Sequence, residues 1–178
     1  MGAWGAIIMS FFGALFAALT LAFQFGWTGL ELGLPFGLFV IIALAAAAII
    51  RRPGEGIAPS ERAERVIMWS SIGEGVGLFV AAQTVIGLGH REMLLPAMAL
   101  VVGLHFLPMA YAVPFRPYYG LGFALLAASA AGFVLGGTMG GAVSGFAGAI
   151  ALWVAALLAL RRDIQAKSAS SGGQMAGA

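Results

Sequence analysis

The sequence contains no cysteine and very few charged residues. The absence of cysteine excludes disulfides, thiolate metal sites and thiol catalysis. Only 9% of the residues are charged, whereas a soluble domain carries roughly 25%. The apolar fraction of 61% is instead that of an integral membrane protein, whose main partner is the lipid bilayer. The net charge of +2 is too small to indicate a nucleic-acid surface.

Long apolar runs make up most of the chain. A membrane-spanning helix needs about 20 mainly apolar residues, and breaks such as Arg51-Arg52-Pro53-Gly54 divide the chain into runs of that length. The last break is marked only by Gly136-Gly137-Thr138, where a turn is required because one span cannot be about 40 residues long. The sequence therefore predicts an all-α, six-transmembrane-helix bundle within a single membrane domain, residues 1–163. The predicted helices are residues 4–23, 30–50, 66–88, 93–113, 119–135 and 139–160.

Lysine and arginine are distributed unevenly over the two sides of these spans. Eight of the nine fall on the side that holds both termini, and only Arg91 falls on the other. Because positive residues are enriched in cytoplasmic loops, both termini are predicted to be cytoplasmic. The Ala- and Gly-rich composition favours a bacterial inner membrane, and the small, polar residues 164–178 predict a disordered cytoplasmic tail. The eight are Arg51, Arg52, Arg62, Arg65, Arg116, Arg161, Arg162 and Lys167.

The first four spans contain similar short segments. Ile8-Met9-Ser10 in the first span is echoed by Ile67-Met68-Trp69 in the third. The second helix of the first two hairpins has an early proline, Pro35 in one and Pro96 in the other, whereas the last hairpin lacks this proline. This pattern predicts three helical-hairpin repeats, related by an axis along the membrane normal.

Two ionisable residues interrupt the apolar runs. Glu74 lies in the third predicted span and His105 in the fourth. Each is about 15 residues from the intervening turn, so at 1.5 Å per residue both lie roughly 23 Å from that turn. In an antiparallel pair of helices they therefore share one level, slightly to the cytoplasmic side of the bilayer centre. A bare charge there costs at least a few kcal/mol, so Glu74 is expected to be neutral, paired or beside water.

A buried carboxyl and imidazole at one level can share a proton. Burial disfavours the charged form of each group alone, but Glu74 and His105 together can hold one proton as a neutral pair or as an ion pair. Such a pair titrates as a unit. It is the composition of a proton relay or cation-coupling site, and equally that of a structural tie between two helices.

Small and polar residues recur along the third helix on the face of Glu74. Ser70, Gly77 and Thr84 belong to this stripe, which favours a lined cavity. The alternative is that the small residues only let another helix approach closely. The predicted substrate or proton pathway consists of Glu74, His105, Ser70, Ser71, Gln83 and Thr84.

A proline follows His105 in the fourth span. Because Pro108 has no N–H group, the carbonyl of Leu104 loses its helical donor, which leaves either a polar spot for water or a cation, or a plain kink. Gly103-Leu-His-Phe-Leu-Pro108, together with Pro117-Tyr-Tyr-Gly120, resembles a segment of small multi-pass bacterial membrane proteins of unknown function. The resemblance implies no activity. It supports only the association of the histidine with its proline.

The last hairpin is rich in glycine at helical spacing. Gly137, Gly141 and Gly145 form overlapping pairs four residues apart. Such pairs favour close packing of helices, either within the chain or in a homo-oligomer.

No catalytic motif is complete in this sequence. Ala142-Val143-Ser144-Gly145 resembles the G-x-S-G motif of rhomboid proteases, but alanine replaces the first glycine and no histidine follows His105. The H-E-x-x-H pattern of metalloproteases is absent. The sequence therefore predicts no catalytic residues and no metal ligands, and it identifies no cofactor. An enzyme that acts on a lipid-soluble substrate, with Glu74 as acid or base, stays open as a third class that no motif supports.

The function these features favour is a small transporter or channel. In it, the Glu74–His105 pair would be the proton- or substrate-linked site, coupling protons or a polar solute. The alternative is a non-catalytic structural or small-molecule-binding or lipid-binding membrane protein, in which the pair only ties helices together. A homo-oligomer is compatible with both.

Overall fold

The computed structural model describes residues 2–53, 59–113 and 115–176, with side chains as far as residue 170. Within these ranges the fold is all-helical, without a strand. Short 3₁₀ segments at Gly29–Gly33 and Arg91–Met93 precede the second and fourth helices. The six helices are α1 (Gly2–Phe25), α2 (Leu34–Ile50), α3 (Glu61–Gly87), α4 (Leu94–Ala112), α5 (Pro117–Leu135) and α6 (Gly137–Ala176).

All six helices are long and apolar enough to cross a membrane. This confirms the predicted number and class of elements, and it gives the chain the architecture of a multi-pass membrane protein. The observed bounds differ from the predicted ones by a few residues, except at the start of α3 and the end of α6. The orientation of the bundle and an internal repeat of hairpins stay predictions.

Local signals explain where several helices begin. The Ser60 side chain accepts a hydrogen bond from the Ala63 N–H at 3.3 Å, so α3 begins with a serine N-cap, a residue type that is common at this position. Pro117 occupies the first turn of α5, where a missing N–H costs nothing. Between α5 and α6, Gly136 and Gly137 have φ values of 62° and 53°, a conformation that glycine adopts without strain.

The helices are arranged around a core of α1, α4, α5 and α6. The last helix, α6, packs against α1 and α5, and α5 packs in turn against α4. Helix α2 lies against α1 and helix α3 against α4, so these two flank the core. The largest fully buried side chains, which include Phe16, Leu95, Leu125 and Leu152, come from all four core helices. Such apolar packing holds a bundle together without polar partners.

The start of α1 and the end of α2 both contact α6 at one end of the bundle. The Ala3 N–H at the start of α1 donates to the Asp163 carboxylate on α6 at 3.4 Å. Lys167, also on α6, donates to the carbonyls of Ile49 and Ile50 in the last turn of α2. We call this the terminal end of the bundle, because the first residues of α1 and the C-terminal part of α6 lie there.

The segment predicted as a tail, residues 164–178, continues helix α6 over the residues that the structure describes. Helix α6 continues without a break to Ala176, and only residues 177–178 lie outside the described residues. Lys167 is only 8% exposed, and its ammonium group donates to the carbonyls of Ile49, Ile50 and Arg52 at 2.8, 3.1 and 3.0 Å. Composition alone predicted disorder because it cannot show that α6 finds partners beyond the last apolar turn.

Two of the three predicted packing glycines lie in tight contacts. A Cβ on Gly141 would overlap the side chain of Gln24, and one on Gly145 would overlap Thr20, both on α1. Gly137 does not pack in this way, since a Cβ there would meet nothing within 4 Å. Its positive φ places it in the turn instead.

Candidate functional site

The two intramembrane ionisable residues lie next to each other. Helix α3 presents Glu74 and helix α4 presents His105, with Oε2 and Nε2 separated by 3.5 Å. Their side chains are only 13% and 7% exposed. The shared level expected from the register of the hairpin made a direct contact geometrically available, and in the structure the two side chains do meet. The use of this contact in a pathway stays a prediction.

The pair lines the wall of a cavity. This cavity has a volume of about 350 Å³ and lies between α1, α3 and α4, with single residues of α5 and α6 completing it. Most of its wall is apolar, including Phe12, Leu78 and Val102. The polar side chains in the wall are Ser71, Glu74, His105 and Tyr118. An apolar pocket with a few convergent polar groups is the usual form of a small-molecule site.

The cavity is open on one side. Helix α3 packs chiefly against α4, whereas α1 packs chiefly against α2 and α6, so the space between α1 and α3 is not filled by their contact. Ile8 on α1 is 57% exposed, and Ser71 and Gly75 on α3 are exposed as well, although all three line the cavity. The opening therefore lies between two helices that are themselves apolar enough to face lipid.

His105 has a second polar atom in this region. Its Nδ1 is buried and has no hydrogen-bond partner among the described residues, whereas Nε2 faces Glu74. The ring is held edge-on against Phe106, at 5.1 Å between centroids. Because buried polar atoms in proteins are usually paired, this unpaired nitrogen is an exception in the structure.

The other predicted pathway residues divide into two groups. Ser71 lines the cavity with Glu74. Ser70, Gln83 and Thr84 do not line it, and the last two are exposed on α3. Gly77, on the predicted small stripe, contacts α4 instead, since a Cβ there would lie 2.9 Å from Val101. The stripe thus serves close helix packing in one part and the cavity in another.

Tyr118 is a cavity residue that sequence reasoning missed. It is buried at the start of α5, and its ring packs against Phe106 and Phe115, with centroids 5.6 and 5.0 Å away. The Arg162 guanidinium lies over Phe115, 4.8 Å from the ring centre. At the level of sequence Tyr118 is one of several aromatic residues near span ends, where such residues commonly lie. Only the packing of α5 against α4 brings it to the cavity.

Neither a metal site among the described residues nor a similar protein was found that would identify the function of this cavity. In the part of the chain that the structure describes, no group of three histidine, aspartate or glutamate side chains is arranged to hold a metal ion. No protein-family model, no curated protein and no solved structure matches the chain.

Proposed function

We propose that the protein is a small membrane transporter or channel in which the Glu74–His105 pair links protons to the movement of a solute. The observation that supports this best is the position of the pair, buried between α3 and α4 and in the wall of a cavity. A structural pair needs no cavity. A pair that exchanges a proton with a bound solute does.

The chemistry of the pair suits this role. A lone charge inside the bilayer costs about 3 kcal/mol, so the favoured states of Glu74 and His105 hold one proton between them. Removal of that proton leaves one net negative charge in an apolar cavity. Such a state is unfavourable until a proton or a positively charged solute returns. Proton binding and solute binding at this site are therefore linked.

The cavity lies nearer the terminal end of the bundle. Gly5, in the first turns of α1, and Tyr118, at the start of α5, line it together with Met109 near the end of α4. The uneven distribution of lysine and arginine supports a cytoplasmic location for that end in a bacterial inner membrane. The site is then proposed to take up its solute from the cytoplasmic half of the bilayer.

Proton linkage can be tested without knowing the solute. We expect proteoliposomes on a solid-supported membrane to give a protein-dependent current after a rapid pH jump, because protonation of the pair moves charge within the bilayer. A transient current indicates a transporter that needs its solute to turn over, and a sustained one indicates a channel. Liposomes without protein are the control. A pH jump that produces no more current with protein than without it would contradict the proposal.

A second candidate function is structural. Helix α3 packs mainly against α4, and no residue in its apolar window is buried. The Glu74–His105 contact could then serve only to hold α3 in place. In that case Glu74→Gln would lower the thermal stability of the purified protein, and the wild type would give no pH-jump current.

A further inference from the structure

The shape and lining of the cavity restrict the kind of ligand that fits. Its volume of about 350 Å³ is within the usual range for small-molecule sites. Because most of the wall is apolar, a ligand gains affinity mainly by burying apolar surface. The polar part of the ligand must lie where the polar side chains are, close to Glu74 and His105.

The charges around the cavity favour a cation. Glu74 is the acidic residue in the wall, and no lysine or arginine among the described residues lines it. Helix α1 contributes no titratable side chain, and α5 contributes Tyr118. Arg162 of α6 lies over Phe115 and acts electrostatically on Tyr118, so it borders the wall without lining the cavity. The charged residues of α3 other than Glu74 lie in its first turns, at Glu61, Arg62, Glu64 and Arg65.

Loss of the shared proton gives this cavity one net negative charge. A bound cation restores neutrality, whereas an anion adds repulsion in a medium of low dielectric constant. The exchange is balanced, because the proton leaves to water as the cation enters and no covalent bond changes.

The opening of the cavity points to the route of entry. Ile8, Ser71 and Gly75 line the cavity and are exposed between α1 and α3. In a membrane this gap faces lipid rather than water. A molecule that uses it must already be dissolved in the bilayer, and so must itself be lipophilic.

We propose that the cavity binds a lipophilic cation, which enters from the bilayer between α1 and α3 and displaces the proton that Glu74 and His105 share. This inference rests on the proposed function, since it names the class of solute for the same site.

The test uses two probes that differ in charge and hardly in shape. Tetraphenylphosphonium is a lipophilic cation, and tetraphenylborate is its anionic counterpart. We expect purified protein in lipid nanodiscs to bind the cation more than about tenfold more tightly than the anion. In weakly buffered solution, binding should release about one proton per bound cation. Glu74→Gln should remove the preference for the cation and the proton release.

A second pair of variants tests the site without altering a charge. A Cβ on either Gly73 or Gly75 would meet nothing within 4 Å, and both residues are exposed on α3. Only Gly75 lines the cavity. We expect Gly75→Leu to fill the opening and weaken binding of tetraphenylphosphonium more than about tenfold, and Gly73→Leu to leave it unchanged. Both variants should fold, because leucine favours a helix over glycine.

Several results would overturn the inference. These are equal binding of the two probes, binding of the cation without proton release, or equal effects of the two leucine variants.

Failure of the lipophilic-cation proposal is distinguishable from failure of the proposed function. A pH-jump current without selective cation binding retains proton linkage and removes the ligand class. Selective binding without a current retains the ligand class and removes transport.

Discussion

Lys167→Met is expected to lower the free energy of unfolding by about 3 kcal/mol. The ammonium group donates to three carbonyls at the end of α2, and hydrogen bonds from charged donors contribute roughly 1.5–3 kcal/mol each. Its positive charge also lies at the negative end of the α2 dipole. Methionine keeps the apolar length of the side chain and removes the donor, so the carbonyls of Ile50 and Arg52 lose this hydrogen bond, whereas that of Ile49 still accepts from the Arg52 N–H. Unfolding in detergent micelles measures the loss.

Arg161→Met is the matched control for this prediction. Arg161 lies on the same helix and has the same charge, but its side chain is exposed. Removing an exposed charge costs little, because the medium screens it. We expect the free energy of unfolding to change by less than about 0.5 kcal/mol for Arg161→Met. Equal losses in the two variants would show that the contacts of Lys167 with α2 contribute nothing specific.

Gly140→Ala is expected to destabilise the bundle by about 2–3 kcal/mol, or to prevent it from folding. A Cβ on Gly140 would overlap the carbonyl of Gly132, where α6 passes α5. That carbonyl belongs to the backbone of a helix, so it cannot move aside as a flexible side chain can. Separation of the helices to admit the methyl group would also disturb the contact of Gly132 with Pro96.

Gly120→Ala separates this packing effect from the general effect of replacing glycine in a helix. Gly120 is exposed on α5, and a Cβ there would meet nothing within 4 Å. Alanine favours the helix over glycine by up to about 1 kcal/mol, so Gly120→Ala should be neutral or stabilising. If Gly140→Ala were equally harmless in the same unfolding measurement, the tight α5–α6 packing described above would be incorrect.

Much of the fold is predictable from the sequence because its main determinants are local. Runs of about 20 apolar residues specify membrane-spanning helices, and Ser60 marks the start of α3 by its own side chain. The division of the last apolar stretch follows from the glycines at 136 and 137, which the turn needs. These signals act over a few residues, so a single sequence is enough to detect them.

Which helices pack against each other, and how far α6 extends, are not predictable in the same way. Both depend on contacts between residues far apart in the chain, such as the contact of Asp163 with Ala3. A basic residue beyond a span suggests a topology signal, and Lys167 gives no local sign that it caps α2. Its role becomes visible only when α6 lies beside that helix.

The candidate site shows the same division. The shared level of Glu74 and His105 follows from counting residues on both sides of one turn, since an antiparallel hairpin equates those distances. Their contact depends on how α3 and α4 are rotated, which the count does not give. The cavity does not follow from such a count, because its wall combines residues of five helices. Tyr118 lines the cavity from α5. Gln83 and Thr84 do not line it, although they are polar and lie on the same helix as Glu74.

The most direct test of the central claim is the pH-jump current of Glu74→Gln compared with that of Glu31→Gln. Glu31 is an exposed acid in the 3₁₀ segment before α2, and it does not line the cavity. Glutamine keeps the size of either side chain and removes its ability to exchange a proton. If Glu74 and His105 act as one protonatable unit in transport, Glu74→Gln abolishes the current and Glu31→Gln retains it. A full current from a correctly folded Glu74→Gln variant would contradict the account.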